Sequence, residues 1–153
     1  MKRAVAVGAA MLCATAAWAQ VPGAPVGAAP AAPGESDSLT SAARRAAHAW
    51  QRHDFAALVV GSPGVMVRLG PSAPSAPMPP AQAVLTLRAF AGGAEELQAE
   101  VTAVHEVDAA RGYAEVQRTY VVRGTSARRV QTLYFGWQRV DRVPRLVDVR
   151  VVP

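Results

Sequence analysis

The chain has 153 residues, of which 51% are hydrophobic and 18% charged, and its 16 basic and 11 acidic residues give a formal net charge of +5. This length accommodates one domain with a single modest core. A lone cysteine excludes an internal disulfide framework, and the dispersed arginines argue against a nucleic-acid-binding surface.

The N-terminus predicts a cleavable secretory signal peptide over residues 1–19. Two basic residues open the chain, an apolar stretch of about 14 residues follows, and Ala-Trp-Ala at 17–19 provides a small-x-small cleavage site. The apolar stretch is shorter than the about 20 residues that a membrane-spanning helix requires. Cleavage after Ala19 removes Cys13 and leaves 14 basic and 11 acidic residues, a net charge of +3. We therefore expect a periplasmic or secreted protein without a thiol and without a stable membrane span.

Residues 20–36 predict a flexible linker, because this segment consists almost wholly of valine, proline, glycine and alanine. The folded domain is then expected over residues 37–153. Asp37 or Ser38 can cap its first helix. The apolar positions of this helix recur at the spacing that places them on one face, namely Leu39, Ala42, Ala43, Ala46, Trp50 and His53. Its other face is basic and is expected to be solvated, with Arg44, Arg45, His48, Gln51 and Arg52.

The middle of the chain predicts short elements separated by turns. Asp54 can cap a brief second helical turn, which the Gly-Ser-Pro-Gly run at 61–64 ends. Residues 65–69 alternate as a short strand, and residues 70–80 contain five prolines and are expected to form a surface loop. Residues 81–91 predict a further helix, which two glycines end.

The remainder predicts four long strands joined by tight turns, which is typical of antiparallel hairpins. These strands are expected over residues 97–107, 113–123, 129–140 and 145–152. The order of elements predicts an α+β fold, in which a curved antiparallel sheet of four to five strands wraps two to three N-terminal helices.

Three polar residues occupy positions on faces that are otherwise apolar. Arg118 lies between Val116 and Tyr120 on one face of its strand. The same alternation places His105 on the apolar face of the strand at 97–107, together with Leu97 and Val107, and His53 ends the apolar face of the first helix. If these faces line a cavity, then His53, His105 and Arg118, with Trp50 and Tyr120, form a candidate pocket for a polar or anionic ligand. The simpler interpretation is that Arg118 pairs with a structural carboxylate and that both histidines are satisfied core or rim residues.

The chain resembles the nuclear transport factor 2-like (SnoaL-like) superfamily, and in particular its small secreted bacterial members of unknown function. The resemblance rests on residues 50–58, Trp-Gln-Arg-His-Asp-Phe-Ala-Ala-Leu, and on the long hairpins over residues 113–150. Two features depart from the family pattern, namely Pro-Arg-Leu at 144–146 and the proline-rich loop at 70–80. The resemblance implies a cone-shaped fold with a cavity between sheet and helices, often dimerising through the sheet. It implies no activity, because this fold hosts enzymes, binders and adaptors.

The motifs of common catalytic sites are absent from the sequence. No pair of histidines has zinc-ligand spacing, no glycine-rich phosphate loop follows a strand, and no Gly-x-Ser-x-Gly elbow is present. The carboxylates predicted on the strands all fall on outward positions, namely Glu100, Glu106, Asp108 and Glu115. Asp54 lies nearer the expected cavity, but its capping role already explains it. The sequence therefore assigns no catalytic residue, no metal ligand and no cofactor.

Three functions remain open. The first is an exported, non-catalytic module that binds a small ligand or an envelope protein. The second is an isomerase- or dehydratase-type enzyme with a cavity lined by His53, His105 and Arg118, in which one of these residues or Asp54 acts on the substrate. The third is a structural envelope subunit assembled through Leu133, Phe135 and Trp137, although these three residues are more simply explained as core. A homodimer through the sheet is a further expectation.

Overall fold

A computed structural model describes residues 38–153, and the predicted signal peptide, linker and first domain residue lie outside this part of the chain. Within it, the elements follow the expected order of helices and then strands. None of its helices combines the length and the apolar character needed to cross a bilayer.

Two helices precede the first strand and a third follows it in the chain. Local hydrogen bonds determine where the first two helices begin. Helix α1 is Leu39–Gln51, α2 is Phe55–Leu58 and α3 is Pro80–Ala91. Ser38 caps α1 through its side chain, which accepts a hydrogen bond from the backbone N–H of Ser41. Asp54 caps α2 in the same way, which confirms the role predicted for it. The predicted amphipathic character of α1 is also confirmed, because its apolar face is buried and its basic face is exposed.

The junction between α1 and α2 is a Schellman turn with a histidine at the position that usually holds glycine. The His53 N–H donates to the Trp50 carbonyl at 2.9 Å, and the Asp54 N–H donates to the Ala49 carbonyl at 2.8 Å. His53 therefore has a left-handed backbone conformation, with φ of 56°. A side chain at such a φ is strained, so the turn fixes the His53 ring at a cost in backbone energy.

Five strands form one curved, unclosed sheet in the order β1-β5-β4-β3-β2. The strands are β1 (Met66–Leu69), β2 (Ala94–Glu106), β3 (Arg111–Val122), β4 (Arg128–Val140) and β5 (Val143–Val152). Strands β2 to β5 form the predicted antiparallel meander. The predicted fold class is confirmed, and the sheet is mixed rather than antiparallel throughout, because β1 pairs with β5 in parallel. After β1 the chain runs through α3 and strands β2 to β4. This long connection allows β5 to lie beside β1 and to run in the same direction.

The core lies between the helices and the inner face of the sheet. Trp50 and Phe55 pack against each other with their ring centroids 5.3 Å apart, and Phe135 of β4 packs on Trp50 at 5.9 Å. The inner positions of β4, Leu133, Phe135 and Trp137, are at most 5% exposed. These three residues are therefore core residues, and the alternative in which they form an assembly surface was wrong.

Strand β2 departs from simple alternation at two β-bulges. In its pairing with β3, Glu96 lies opposite Tyr120 and Gln98 opposite Thr119, so Leu97 is an extra residue. Thr102 is a second extra residue in the same strand. Because each bulge exchanges the two faces of the strand, the expectation that Leu97, His105 and Val107 point inward was wrong. Leu97 is 40% exposed and Val107 is 60% exposed.

Candidate functional site

Arg118 is a buried cation on the inner face of β3. Only 2% of its surface is exposed, and its guanidinium carbon lies 4.0 Å from the centre of the Tyr120 ring. The rings of Trp50 and Phe90 lie 5.5 Å from the same carbon. Three aromatic rings thus surround the guanidinium, and the attraction between a cation and an aromatic face offsets part of the cost of its burial.

Glu96 supplies the carboxylate that faces this cation. Its side chain is completely buried, and its Oε1 lies 3.4 Å from Nη2 of Arg118. The bulge at Leu97 explains its position, because the extra residue allows Glu96 and Ala99 both to point inward, opposite Tyr120 and Arg118.

His53 and Trp50 approach the same carboxylate from the helical side. His53 Nε2 lies 3.6 Å from Glu96 Oε1, with 29% of the His53 side chain exposed. The His53 ring also stacks on Phe55, with ring centroids 5.7 Å apart. The indole N–H of Trp50 lies close enough to Glu96 to lower its pKa, although it is outside hydrogen-bond geometry. We call Trp50, His53, Glu96, Arg118 and Tyr120 the inner polar cluster.

Burial dominates the electrostatics of the inner polar cluster. Desolvation raises the pKa of Glu96 above its ordinary value, although Arg118, His53 and Trp50 each oppose that change. Desolvation also lowers the pKa of Arg118, against the opposing effect of Glu96. The ion pair thus only partly offsets the loss of water around its two charges.

The inner polar cluster is also short of hydrogen bonds. Nine buried side-chain nitrogen and oxygen atoms of the described residues have no hydrogen-bond partner, and six of them belong to this cluster. They are Nε1 of Trp50, Nε2 of His53, both carboxylate oxygens of Glu96, and Nε and Nη1 of Arg118. Donors and acceptors therefore converge on one small volume, an arrangement suited to a polar molecule that can both donate and accept hydrogen bonds. Between residues 38 and 153, no three His, Cys, Asp or Glu side chains come close enough to hold a metal ion.

Four of the five residues of the candidate pocket lie together in the structure, namely Trp50, His53, Arg118 and Tyr120. The fifth, His105, lies on the outer face of the sheet. Its ring stacks on Tyr113 at 4.6 Å, and its Nε2 lies 3.6 Å from Glu115 Oε1. The bulge at Thr102 is the physical reason, because it exchanges the faces of β2 between Val101 and His105.

Glu96, the carboxylate at the centre of the cluster, was not among the site residues predicted from the sequence. The strand was expected to begin at residue 97, and simple alternation through Glu96 would in any case have placed it on the outward face with Gln98. One signal was available. A buried Arg118 requires an acidic partner, and Glu96 lies at the start of the strand that pairs with β3.

No protein-family model and no curated protein matches the sequence of this chain. Solved structures nevertheless match its fold. A nuclear transport factor 2-like protein of unknown function from Shewanella oneidensis has a TM-score of 0.55 at 7% identity, with 78% of this chain and 99% of that chain covered.

Two further matches carry enzyme-like names. A putative polyketide cyclase from Xanthomonas campestris has a TM-score of 0.57 at 17% identity, covering 75% of this chain and 89% of that one. A ketosteroid isomerase-like protein from Erwinia carotovora has a TM-score of 0.58 at 12% identity, covering 78% and 96%. The described domain therefore has the nuclear transport factor 2-like fold that the resemblance implied, and identities this low extend the likeness to the fold alone.

Proposed function

We propose that this protein is an exported module that binds a small polar ligand at the inner polar cluster. The observation that carries the proposal is the convergence on one side of the sheet of six buried polar atoms that make no hydrogen bond, one of which, Glu96 Oε1, lies at ion-pair distance from Arg118 and His53. A buried polar group without a partner costs about 1–3 kcal/mol, so a ligand that satisfies several of them gains affinity from each. The signal-like N-terminus supports the exported location.

The rim of the cluster supports access for a ligand. His53 keeps 29% of its side chain exposed, and Phe90 and Tyr120 are half-buried. His53 contacts the completely buried Glu96 directly, and Phe90 and Tyr120 pack on its partner Arg118, so partly exposed side chains border the cluster. Because the rings pack closely around Arg118, the ligand is expected to be small, or Phe90 and Tyr120 must move aside for it.

Native mass spectrometry tests the proposal on protein purified gently from the periplasm of an exporting host. We expect a species whose mass shows cleavage after Ala19, together with an additional small mass. Glu96→Gln should lose that mass. Glu115→Gln is the matched control, since it makes the same change beside the other histidine, and it should keep the mass. A bare chain, or equal retention by both variants, would overturn binding at this cluster and favour an adaptor or structural role.

Acid–base catalysis is a second candidate, because Glu96 is an enclosed carboxyl group with a raised pKa. Such a group can take a proton from a carbon next to a carbonyl and return it, as general acid–base enzymes do. If the protein catalyses this transfer, the bound molecule should gain deuterium from D₂O with the wild type and not with Glu96→Gln. Binding of the molecule without uptake of deuterium would exclude this proton transfer and support binding without catalysis.

A further inference from the structure

A cleft of about 440 Å³ lies between α1, α2 and the turn end of the β4–β5 hairpin. It does not include the residues of the inner polar cluster. Its floor is apolar, because Leu58, Trp137 and Leu146 line it and are each at most 7% exposed. Its volume falls within the range of about 300–1,000 Å³ that is usual for small-molecule sites.

Basic side chains surround this apolar floor. His48 and Arg52 line the cleft from the exposed face of α1, and Arg145 lines it from β5. The Arg145 guanidinium lies directly over Gly61, where any β-carbon would collide with it and where φ is +71°. Gly61 therefore provides the space in which this guanidinium rests against the backbone beside the cleft.

The charges of Arg52 and Arg145 are not neutralised within the part of the chain that the structure describes. Neither Arg52 nor Arg145 lies within ion-pair distance of a carboxylate among residues 38–153. Among residues 38–153, Asp54 is the one acidic residue that lines the cleft, and its Oδ1 accepts a hydrogen bond from the N–H of Ala57 as the cap of α2. The cleft thus combines an apolar floor with an excess of cationic groups.

We propose that this cleft binds an anionic amphiphile, with its oxyanion headgroup at Arg52 and Arg145 and its short acyl chain over Leu58, Trp137 and Leu146. Charge complementarity selects the headgroup, since a planar guanidinium pairs well with a carboxylate or a phosphate. The apolar floor selects the chain, because transfer of methylene groups from water to an apolar surface is favourable. This site is separate from the inner polar cluster and does not depend on its function.

Calorimetric titration with octanoate, below the concentration at which it forms micelles, tests the proposal. We expect saturable binding of one octanoate per chain. Acetate, which lacks the chain, and octan-1-ol, which lacks the charge, should each bind at least tenfold more weakly. Absence of saturable octanoate binding, or equal binding of octan-1-ol, would overturn the proposal.

Substitutions locate the site. Arg52→Gln/Arg145→Gln should weaken octanoate binding at least tenfold, whereas Arg44→Gln, also on the exposed face of α1 but outside this cleft, should leave it unchanged. Because Arg145 packs over Gly61, the single variant Arg52→Gln provides a second test that disturbs no packed contact. It should weaken binding severalfold at an unchanged melting temperature. Equal effects of the Arg44 and Arg52 substitutions would show a non-specific charge effect and overturn the assignment.

The source of the amphiphile is distinguished with membranes. If vesicles that contain phosphatidylglycerol bind with the same dependence on Arg52 and Arg145, the cleft takes the headgroup of a membrane lipid. If octanoate binds and the vesicles do not, it takes a free amphiphile. Both results support the same ligand chemistry, and vesicle binding that is indifferent to both arginines contradicts it.

Discussion

Two histidine–glutamate pairs with the same separation lie on opposite sides of the sheet. His53 and Glu96 form the inner pair and His105 and Glu115 the outer pair, each with Nε2 and Oε1 3.6 Å apart. The inner side chains are 29% and 0% exposed, and the outer ones 45% and 32%. The two pairs differ in burial and not in the distance between these atoms. Desolvation, rather than distance, therefore distinguishes a candidate site from a surface contact.

The surroundings of the two pairs follow from that difference. The inner pair lies beside the buried Arg118, and burial raises the pKa of its carboxyl group, that of Glu96. The outer pair lies beside Tyr113, where water can solvate both polar groups. Changes to the inner group should therefore affect the free energy of unfolding strongly and with pH, whereas changes to the outer group should affect it weakly.

Arg118→Met should have the largest effect on stability. Methionine replaces the unbranched stem of the arginine with an apolar side chain but has no charge, so Glu96 stays buried without its cation. Breaking a buried ion pair costs about 3–5 kcal/mol, so we expect a loss of that size at pH 7 by urea unfolding. The loss should be smaller at acidic pH, where Glu96 is protonated and needs no cation.

Two controls sharpen this prediction. Arg129→Met makes the same change at an exposed position on β4 and should alter stability by less than about 0.5 kcal/mol. Glu96→Gln/Arg118→Met removes both charges and should recover part of the loss. If the double variant is as unstable as the sum of its parts, then Glu96 and Arg118 do not interact.

Glu96→Gln should alter how stability depends on pH. The pKa of Glu96 is raised in the folded state, so the folded protein favours the neutral carboxyl. Its stabilising contribution is fully present below the unfolded pKa and is lost as pH rises through the folded pKa. Because glutamine stays neutral, the variant should gain stability relative to the wild type as pH rises above the unfolded pKa of a glutamate. The opposite trend in urea unfolding would show that the attraction of Arg118 outweighs desolvation.

The strands differ in how well the sequence predicts their faces. Strand β3 alternates without interruption, so Arg118 was correctly predicted on its inner face. Strand β2 contains extra residues at Leu97 and Thr102, and no turn residue marks either position. The helical cap at Asp54 was predictable because capping depends on local hydrogen bonds. The position of Glu96 depends on strand pairing instead, and alternation along one strand carries no information about pairing.

Substitutions at His53 separate backbone strain from the contact with Glu96. Both His53→Gly and His53→Ala remove the ring, but only alanine keeps a β-carbon at φ of 56°. We therefore expect the glycine variant to be about 1 kcal/mol more stable than the alanine variant by urea unfolding. At Arg52, where φ is −90°, the order should reverse. The same order at both positions would mean that the turn opens once the ring is removed.

Glu115→Gln should have the smallest effect, because exposed ion pairs contribute about 0–1 kcal/mol. Its histidine partner is 45% exposed, so water can replace the carboxylate as a partner of the ring. We expect a change below about 0.5 kcal/mol in urea unfolding at low protein concentration. A larger loss, growing with protein concentration, would mean that the outer face is covered in solution. The chain would then be a homodimer that buries His105 and Glu115 against a second copy, and the contrast between the two pairs would hold only for the monomer.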